Sequence, residues 1–478
     1  MDVELFFQIL ILLVGFYMAW NIGENDVSNA MGTSVGSGAL TLKKAVCVAA
    51  VLEFCGAFFV GSSVSETMQK GLIDTSLFLA DPIVLIIGMS AALLGTGAWL
   101  QLASYFGWPV STTHAIVGAI LGFGVVVGGV EAIQWEEITS IGLSWVLSPV
   151  LSAIFSYFLF SFMQRTILYA MNPVEATKKL YPYFVFLVFF VFSLSLLFNG
   201  LTNVISLSFP LVFLLALLVG VSMALLSYWL IQKMQTSSHS IPPSASSPQS
   251  IISLDKAIKH LQRVHSGAGE ATRTEVAMLL SKLRSMSSSL KQEAHFPQKS
   301  SEYKTVEQLF VYLQILSACF VAFAHGANDV ANAIGPVAAV LDVIKNGAIS
   351  EVSVVPPWLL AFGGVGIVIG LATWGWRVIE TIGRKITELT PTRGFCAEFG
   401  AATTILLASK MGLPISTTHC LVGAVLGVGL AKGMRALNLN MLKEIVLSWI
   451  ITIPASALMS IGIFYVIKML FLQFFTGV

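Results

Sequence analysis

The chain has 478 residues, of which 56% are hydrophobic and only 11% charged, with a net charge of +1. A soluble domain carries about 25% charged residues, so the composition is that of a polytopic membrane protein. The near-neutral charge argues against a nucleic-acid partner. The five cysteines, Cys47, Cys55, Cys319, Cys396 and Cys420, all lie in apolar segments without ligand spacing. They read as small core residues, and neither a disulfide nor a cysteine metal site is expected.

Apolar runs able to span a bilayer, at about 20 residues each, lie near 4–20, 45–62, 80–103, 139–163, 182–199 and 207–231, and again near 307–324, 357–376, 394–410 and 443–470. The first follows Met1-Asp2-Val3-Glu4, which lacks the basic region of a signal peptide, and is expected to be a retained span. Two further runs, 109–130 and 414–431, are Gly-rich and open with Pro and three hydroxyl residues. They are expected to be broken or re-entrant segments lining a cavity. The fold class is therefore all-α and polytopic, with about 10–12 membrane segments.

Residues 233–305 break the pattern, with ten Lys and Arg and four of the seven histidines, His239, His260, His265 and His295. Ser237–Ser250 is Ser/Pro-rich and reads as a linker. Apolar residues then recur at helical spacing from Ile252 to Val264 and from Val276 to Leu290, predicting two short amphipathic helices. The expected organisation is a membrane half over 1–232, a hydrophilic cytoplasmic loop over 233–305, and a second membrane half over 306–478. A basic cluster, Arg377, Arg384, Lys385 and Arg393, reads as a cytoplasmic anchoring loop.

The two halves repeat each other. Gly23-Glu24-Asn25-Asp26-Val27-Ser28-Asn29-Ala30 recurs as Gly326-Ala327-Asn328-Asp329-Val330-Ala331-Asn332-Ala333, and Pro109-Val110-Ser111-Thr112-Thr113-His114 as Pro414-Ile415-Ser416-Thr417-Thr418-His419. With Ser144-Trp145 and Ser448-Trp449, three collinear pairs share a separation of 303 to 305 residues. The chain is a tandem duplication, and paired motifs imply one site at the repeat interface.

A carboxylate and two amides at bilayer depth are costly and call for a partner. Gly23 and Gly326 weaken the helix and Asn-Asp favours an N-cap, so a helix that unwinds and restarts is expected there. Asp26 and Asn29, like Asp329 and Asn332, lie three positions apart on one helix face. Carboxylate and amide oxygens suit a hard cation such as Na⁺, or a proton held on Asp. The bland alternative is a buried cap with interhelical amide bonds.

Pro followed by three hydroxyl residues is a helix start whose backbone donors and positive dipole end attract anions. Two such starts can cradle one tetrahedral oxyanion; the alternative is hydroxyls bonding back to their own helix. No Arg or Lys lies in either motif, so an anion held there draws on helix ends and co-bound cations. Glu53 and Glu398, in apolar surroundings, are further cation or proton sites at non-equivalent positions. Glu24 replaces Ala327 of the second copy, either as a cation ligand or reaching an aqueous mouth. His114 and His419 read as hydrogen-bonded structural histidines, with proton carriage as the alternative.

On these paired motifs the chain resembles the inorganic phosphate transporter (PiT) family over both hydrophobic halves. The resemblance implies an inverted repeat, a homodimer in the plasma membrane (the inner membrane of a Gram-negative bacterium), and symport of phosphate with Na⁺ or H⁺. It implies that Asp26, Asn29, Asp329 and Asn332 hold cation and phosphate and that Ser111–Thr113 and Ser416–Thr418 line the anion pocket. Together with the residues' own chemistry, the expected phosphate contacts are Asn25, Asp26, Ser111, Thr112, Thr113, Asn328, Asp329, Ser416, Thr417 and Thr418, and the expected cation contacts Asp26, Asn29, Asp329, Asn332, Glu53 and Glu398. It implies no enzymatic activity and no cofactor beyond the co-transported cation. Members that carry sulfate leave the oxyanion open. A channel, a membrane-embedded hydrolase and a phosphate-sensing scaffold are the competing classes; no His-x-x-x-His or nucleophile–base pair supports the hydrolase.

Overall fold

The computed structural model describes residues 3–70, 72–78, 81–197, 208–233, 269–294, 301–346, 355–376, 390–433 and 439–473, with isolated positions between 254 and 266 and at 379. Chain this apolar must satisfy its backbone polar groups internally, and the described residues are almost entirely helical. The first half supplies α1 (Val3–Gly36), α2 (Leu42–Val60), α3 (Ser62–Lys70), α4 (Pro82–Tyr105), α5 (Thr112–Gly128), α6 (Trp135–Met163), α7 (Pro173–Ser195) and α8 (Phe209–Lys233). Then come α9 (Glu270–Ala294), α10 (Ser301–Asn346), α11 (Pro357–Thr373), α12 (Pro391–Lys410), α13 (Thr417–Lys432) and α14 (Leu439–Phe471).

Seven of the described helices are long and apolar enough to cross a membrane, or eight if α2 and α3, bent by 65° at Gly61, form one span. The later of the two amphipathic helices expected in the central loop is α9; the earlier falls mostly outside the described residues. Of the basic cluster, Arg377, Arg384 and Lys385 also lie outside them. Arg393 is buried in the first turn of α12, unlike the exposed anchor expected.

The repeats interlock. Helices α1, α2, α4, α5 and α6 correspond in order to α10, α11, α12, α13 and α14. The motif helix α1 packs on α11 of the other repeat, and α10 packs reciprocally on α2; α5 packs on α14 and α13 on α6. The site therefore lies where neither half can form it alone.

The motif helices do not unwind. Both α1 and α10 run unbroken through Gly-x-Asn-Asp, with 34 and 46 residues. Gly23 and Gly326 serve close approach instead. A Cβ on Gly23 would stand 1.9 Å from the Ile367 carbonyl oxygen, and one on Gly326 would stand 2.1 Å from that of Glu53. A helix that keeps its own backbone bonds can bring a neighbouring helix this near only without a side chain.

Each segment expected to be re-entrant is the returning arm of a helical hairpin, α4–α5 and α12–α13. Each hairpin turns at a glycine in the left-handed region, Gly107 (φ +68°) and Gly412 (φ +69°), conformations that side chains resist. The two turns close with the same bonds, Trp108 N–H to the Ala103 carbonyl (2.9 Å) and Leu413 N–H to that of Ala408 (3.0 Å). Proline then breaks the backbone pattern, and the returning helices α5 and α13 start behind the N-caps Ser111 and Ser416, each accepting the N–H three residues on. These two helices are short, at 17 and 16 residues.

Candidate functional site

The hairpin tips bring both hydroxyl motifs against both motif helices. Asn29 Nδ2 donates to Asp26 Oδ1 (3.1 Å) on its own helix and to Thr418 Oγ1 (2.8 Å) of the other repeat. Reciprocally, Asn332 Nδ2 donates to Thr112 Oγ1 (3.3 Å) and Thr113 Oγ1 (3.2 Å). Thr417 Oγ1 donates to Asp329 Oδ2 at 2.8 Å, and Thr112 stands beside Asp26 in the equivalent place. The tips also bond each other, Thr113 Oγ1 to the Ile415 carbonyl (2.9 Å) and Thr418 Oγ1 to that of Val110 (3.3 Å). All eight of these polar residues are buried.

Asn25 and Asn328 do a different job. Each amide nitrogen ties its motif helix to a hairpin, Asn25 to Ser104 Oγ (2.9 Å) and Asn328 to Ser409 Oγ (3.0 Å). Ser104 and Ser409 are equivalent residues on α4 and α12, so the repeat extends to this clamp. Glu24, where the second copy has Ala327, is buried.

With the amide nitrogens spent, the oxygens are left. Asn25, Asn29, Asn328 and Asn332 each keep a buried Oδ1 without a hydrogen-bond donor among the described residues, as do Asp26 Oδ2 and Asp329 Oδ1. Amide and carboxylate oxygens that point inward without donors are the ligand set of a hard cation. They occur in two matched sets, one per repeat.

Sequence reading missed His325. It is fully buried on α10, and its Nε2 lies 2.9 Å from Asp329 Oδ2 and 3.8 Å from Asp26 Oδ2, while Nδ1 lies 3.3 Å from Glu53 Oε1. Asp26, His325 and Asp329 can each turn one ligand atom to a common point, within 4.8 Å of one another. The 2.9 Å separation is also that of an imidazole N–H donating to a carboxylate. This group breaks the two-fold. Ile22 stands where His325 does, and Ile367, facing Gly23 as Glu53 faces Gly326, stands where Glu53 does. The signal was available: the residue before the motif glycine is Ile in one copy and His in the other.

Glu398 does not join this centre. Its Oε1 accepts from Thr33 Oγ1 (2.5 Å), Ser34 Oγ (2.7 Å) and Gln314 Nε2 (3.4 Å), and Oε2 from Ser317 Oγ (2.5 Å). Ser37 Oγ in turn donates to Gln314 Oε1 at 2.6 Å. The equivalent positions of the other repeat hold Leu93, Pro336, Val337, Ile11 and Val14, all buried. One repeat thus carries a buried polar pocket where the other carries core. Sequence reading identified the carboxylate but none of its partners.

His114 and His419 lie behind the tips, ring centroids 4.4 Å apart, each stacked on the tryptophan of its own repeat, Trp145 at 3.8 Å and Trp449 at 3.5 Å. Trp145 Nε1 donates to the Pro414 carbonyl at 3.2 Å, and Ser448 Oγ to that of Pro109 at 3.4 Å. Each tip is therefore pinned by the opposite repeat.

A duplicated, interlocked helical bundle with a buried polar centre between its halves defines a multi-pass membrane transport protein. The chain belongs to the phosphate transporter family (PHO4), whose sequence profile matches residues 22–460. It is 45% identical over 452 residues to the chloroplastic inorganic phosphate transporter 2-1 of Arabidopsis thaliana, covering 94% of this chain and 70% of that one. Its fold is similar to that of a solved sodium-dependent phosphate transporter, with a TM-score of 0.77 and 35% identity over 97% of this chain and 99% of the other. Membership places the chain among transporters and not enzymes.

Proposed function

We propose that the chain carries inorganic phosphate across its membrane by symport with Na⁺, alternating access around the site between the repeats. The observation that carries the choice of ion is the two matched sets of donorless oxygens, on Asp26 and Asn29 and on Asp329 and Asn332. A proton bound to a carboxylate leaves the amide oxygen beside it unpaired, whereas one cation can take both oxygens as ligands. The sodium dependence of the structurally similar transporter points the same way.

Cations bound there would supply the positive charge that the tips lack, with the hydroxyls of Ser111 and Ser416 and the backbone N–H groups of α5 and α13 as neutral donors and Thr112, Thr113, Thr417 and Thr418 lining the pocket. Phosphate keeps a proton at neutral pH and sulfate does not, so the buried carboxylates Asp26 and Asp329 can accept from the former and repel the latter. Glu398, a buried carboxylate whose partners among the described residues are all neutral, is a further cation or proton site outside the centre; a cation there would take the carboxylate in place of the hydroxyl donors, whose oxygens could then turn to it. A homodimer in the plasma membrane completes the proposal, on the family resemblance.

The competing reading is proton coupling, and the observation in its favour is His325 between Asp329 and Glu53. Uptake of labelled phosphate into proteoliposomes decides between them. Accumulation driven by an inward Na⁺ gradient at equal pH, competed by arsenate more than by sulfate, is expected. Accumulation under a proton gradient without Na⁺ would replace Na⁺ by H⁺, and no accumulation under either gradient would refute symport.

A further inference from the structure

The hydroxyls of the two tips are not equivalent donors. Thr113, Thr417 and Thr418 spend their protons on the Ile415 carbonyl, Asp329 and the Val110 carbonyl, and Thr112 lies beside Asp26. That leaves the N-cap serines, Ser111 and Ser416, to offer a hydroxyl proton to an anion. Ser111 Oγ has two neighbours on one residue: it accepts the His114 backbone N–H at 3.2 Å and lies 2.7 Å from His114 Nδ1.

A hydroxyl has one proton and two acceptor positions. If Ser111 gives its proton to Nδ1, nothing remains for the site. If Nδ1 carries the proton, ring and backbone fill both acceptor positions, and the Ser111 proton can only point away from them. The ring is not free to turn out of this contact, since it is held between Trp145 at 3.8 Å and His419 at 4.4 Å. Trp145 in turn is fixed by its bond to the Pro414 carbonyl of the other tip.

We propose that His114, in the tautomer protonated on Nδ1, is a positioning residue that aims the Ser111 hydroxyl proton at the bound oxyanion. The proposal rests on the phosphate reading above and goes beyond it by giving the histidine of the hydroxyl motif a task. His114 touches neither the anion nor the cations; it acts through Ser111. The four-ring column through Trp145, His114, His419 and Trp449 makes the orientation independent of solvent.

The test is phosphate uptake by the full chain in proteoliposomes, comparing wild type with S111A, H114F, H114N and S111A/H114F. H114F keeps a ring in the column and removes the nitrogen. It is expected to raise KM about tenfold, as S111A does, with Vmax and detergent melting temperature near wild type. The double variant should be no worse than S111A, because the histidine acts only through the Ser111 hydroxyl. H114N, whose amide can donate from the Nδ1 position, should keep KM within about twofold of wild type.

Additive losses in S111A/H114F, or an H114N KM as high as that of S111A, would overturn the proposal. Should H114F fail to fold, the comparison of H114N with S111A decides alone, in the same two directions. Absence of uptake by wild type would instead refute the transport reading, so the two failures are distinguishable.

Discussion

Replacing Asp329 by Asn tests the central cation site with the smallest change of shape. Thr417 Oγ1 donates to Asp329 Oδ2 at 2.8 Å and His325 Nε2 lies 2.9 Å from it, and an amide oxygen there can still accept from Thr417. Folding should therefore survive, while the other oxygen, which faces no donor, becomes an NH₂ group aimed at the cation. A unit charge about 4 Å from a monovalent cation is worth about 4 kcal/mol at an effective dielectric of about 20. That corresponds to about a thousandfold loss of cation affinity. The assay is Na⁺-dependent phosphate uptake by D329N, with melting temperature in detergent as the folding control. Half-maximal Na⁺ should move beyond the accessible range and uptake at physiological Na⁺ should vanish. A folded D329N with the Na⁺ dependence of wild type would refute the assignment. D26N should fail in the same way, because Asp26 carries the matching donorless oxygen.

Other consequences are as direct. G326A places a methyl group 2.1 Å from the Glu53 carbonyl oxygen, so α2 and α10 must separate; a loss of about 1–3 kcal/mol, or no folded protein, is expected from thermal melting. Near-wild-type melting of G326A would show that the helices are not packed this closely. T417A removes the hydroxyl held by Asp329 and should weaken phosphate affinity about fivefold, for about 1 kcal/mol, with Na⁺ still required. E398Q should raise half-maximal Na⁺ while leaving phosphate KM at saturating Na⁺ near wild type, and an unchanged Na⁺ dependence would remove Glu398 from the cation path. H325A should change the Na⁺ dependence of uptake more than I22A, since the isoleucine at the equivalent position meets no carboxylate; equal effects would reduce His325 to packing.

The repeat, the helical class and the principal polar residues were legible because they are local. Asp26 with Asn29, and Pro414 with its three hydroxyls, carry their meaning within a few positions. The unwinding expected at Gly23 and Gly326 was wrong for a reason that is not local: the neighbour that requires glycine, Ile367 or Glu53, lies in the other half of the chain. The Glu398 pocket escaped for the same reason, since Thr33 and Glu398 are 365 residues apart. His325 was different. Aligning the two copies would have flagged it, because a duplication makes each half a control for the other.

That control separates two kinds of residue. Positions kept polar in both copies, Asp26 with Asp329, Asn29 with Asn332 and Ser111 with Ser416, converge on the interface, where a tetrahedral anion can be gripped equally from both sides. Positions polar in one copy only form two groups: His325 and Glu53 at the edge of the centre, and Glu398 with Thr33, Ser34, Gln314 and Ser317 away from it. Burying a carboxylate costs several kcal/mol unless it is neutralised. Leu93, at the position equivalent to Glu398, shows that the same packing is compatible with an apolar side chain. A carboxylate at that place is therefore unnecessary for the fold. The asymmetry also makes the two halves energetically unequal, so that exchanging their conformations would not be thermoneutral. A cation bound to only one half can then shift that exchange, because only differential binding moves an equilibrium. On the proposed reading the symmetric residues would hold the anion and the cations beside it, and the asymmetric ones would bias which half's conformation is favoured.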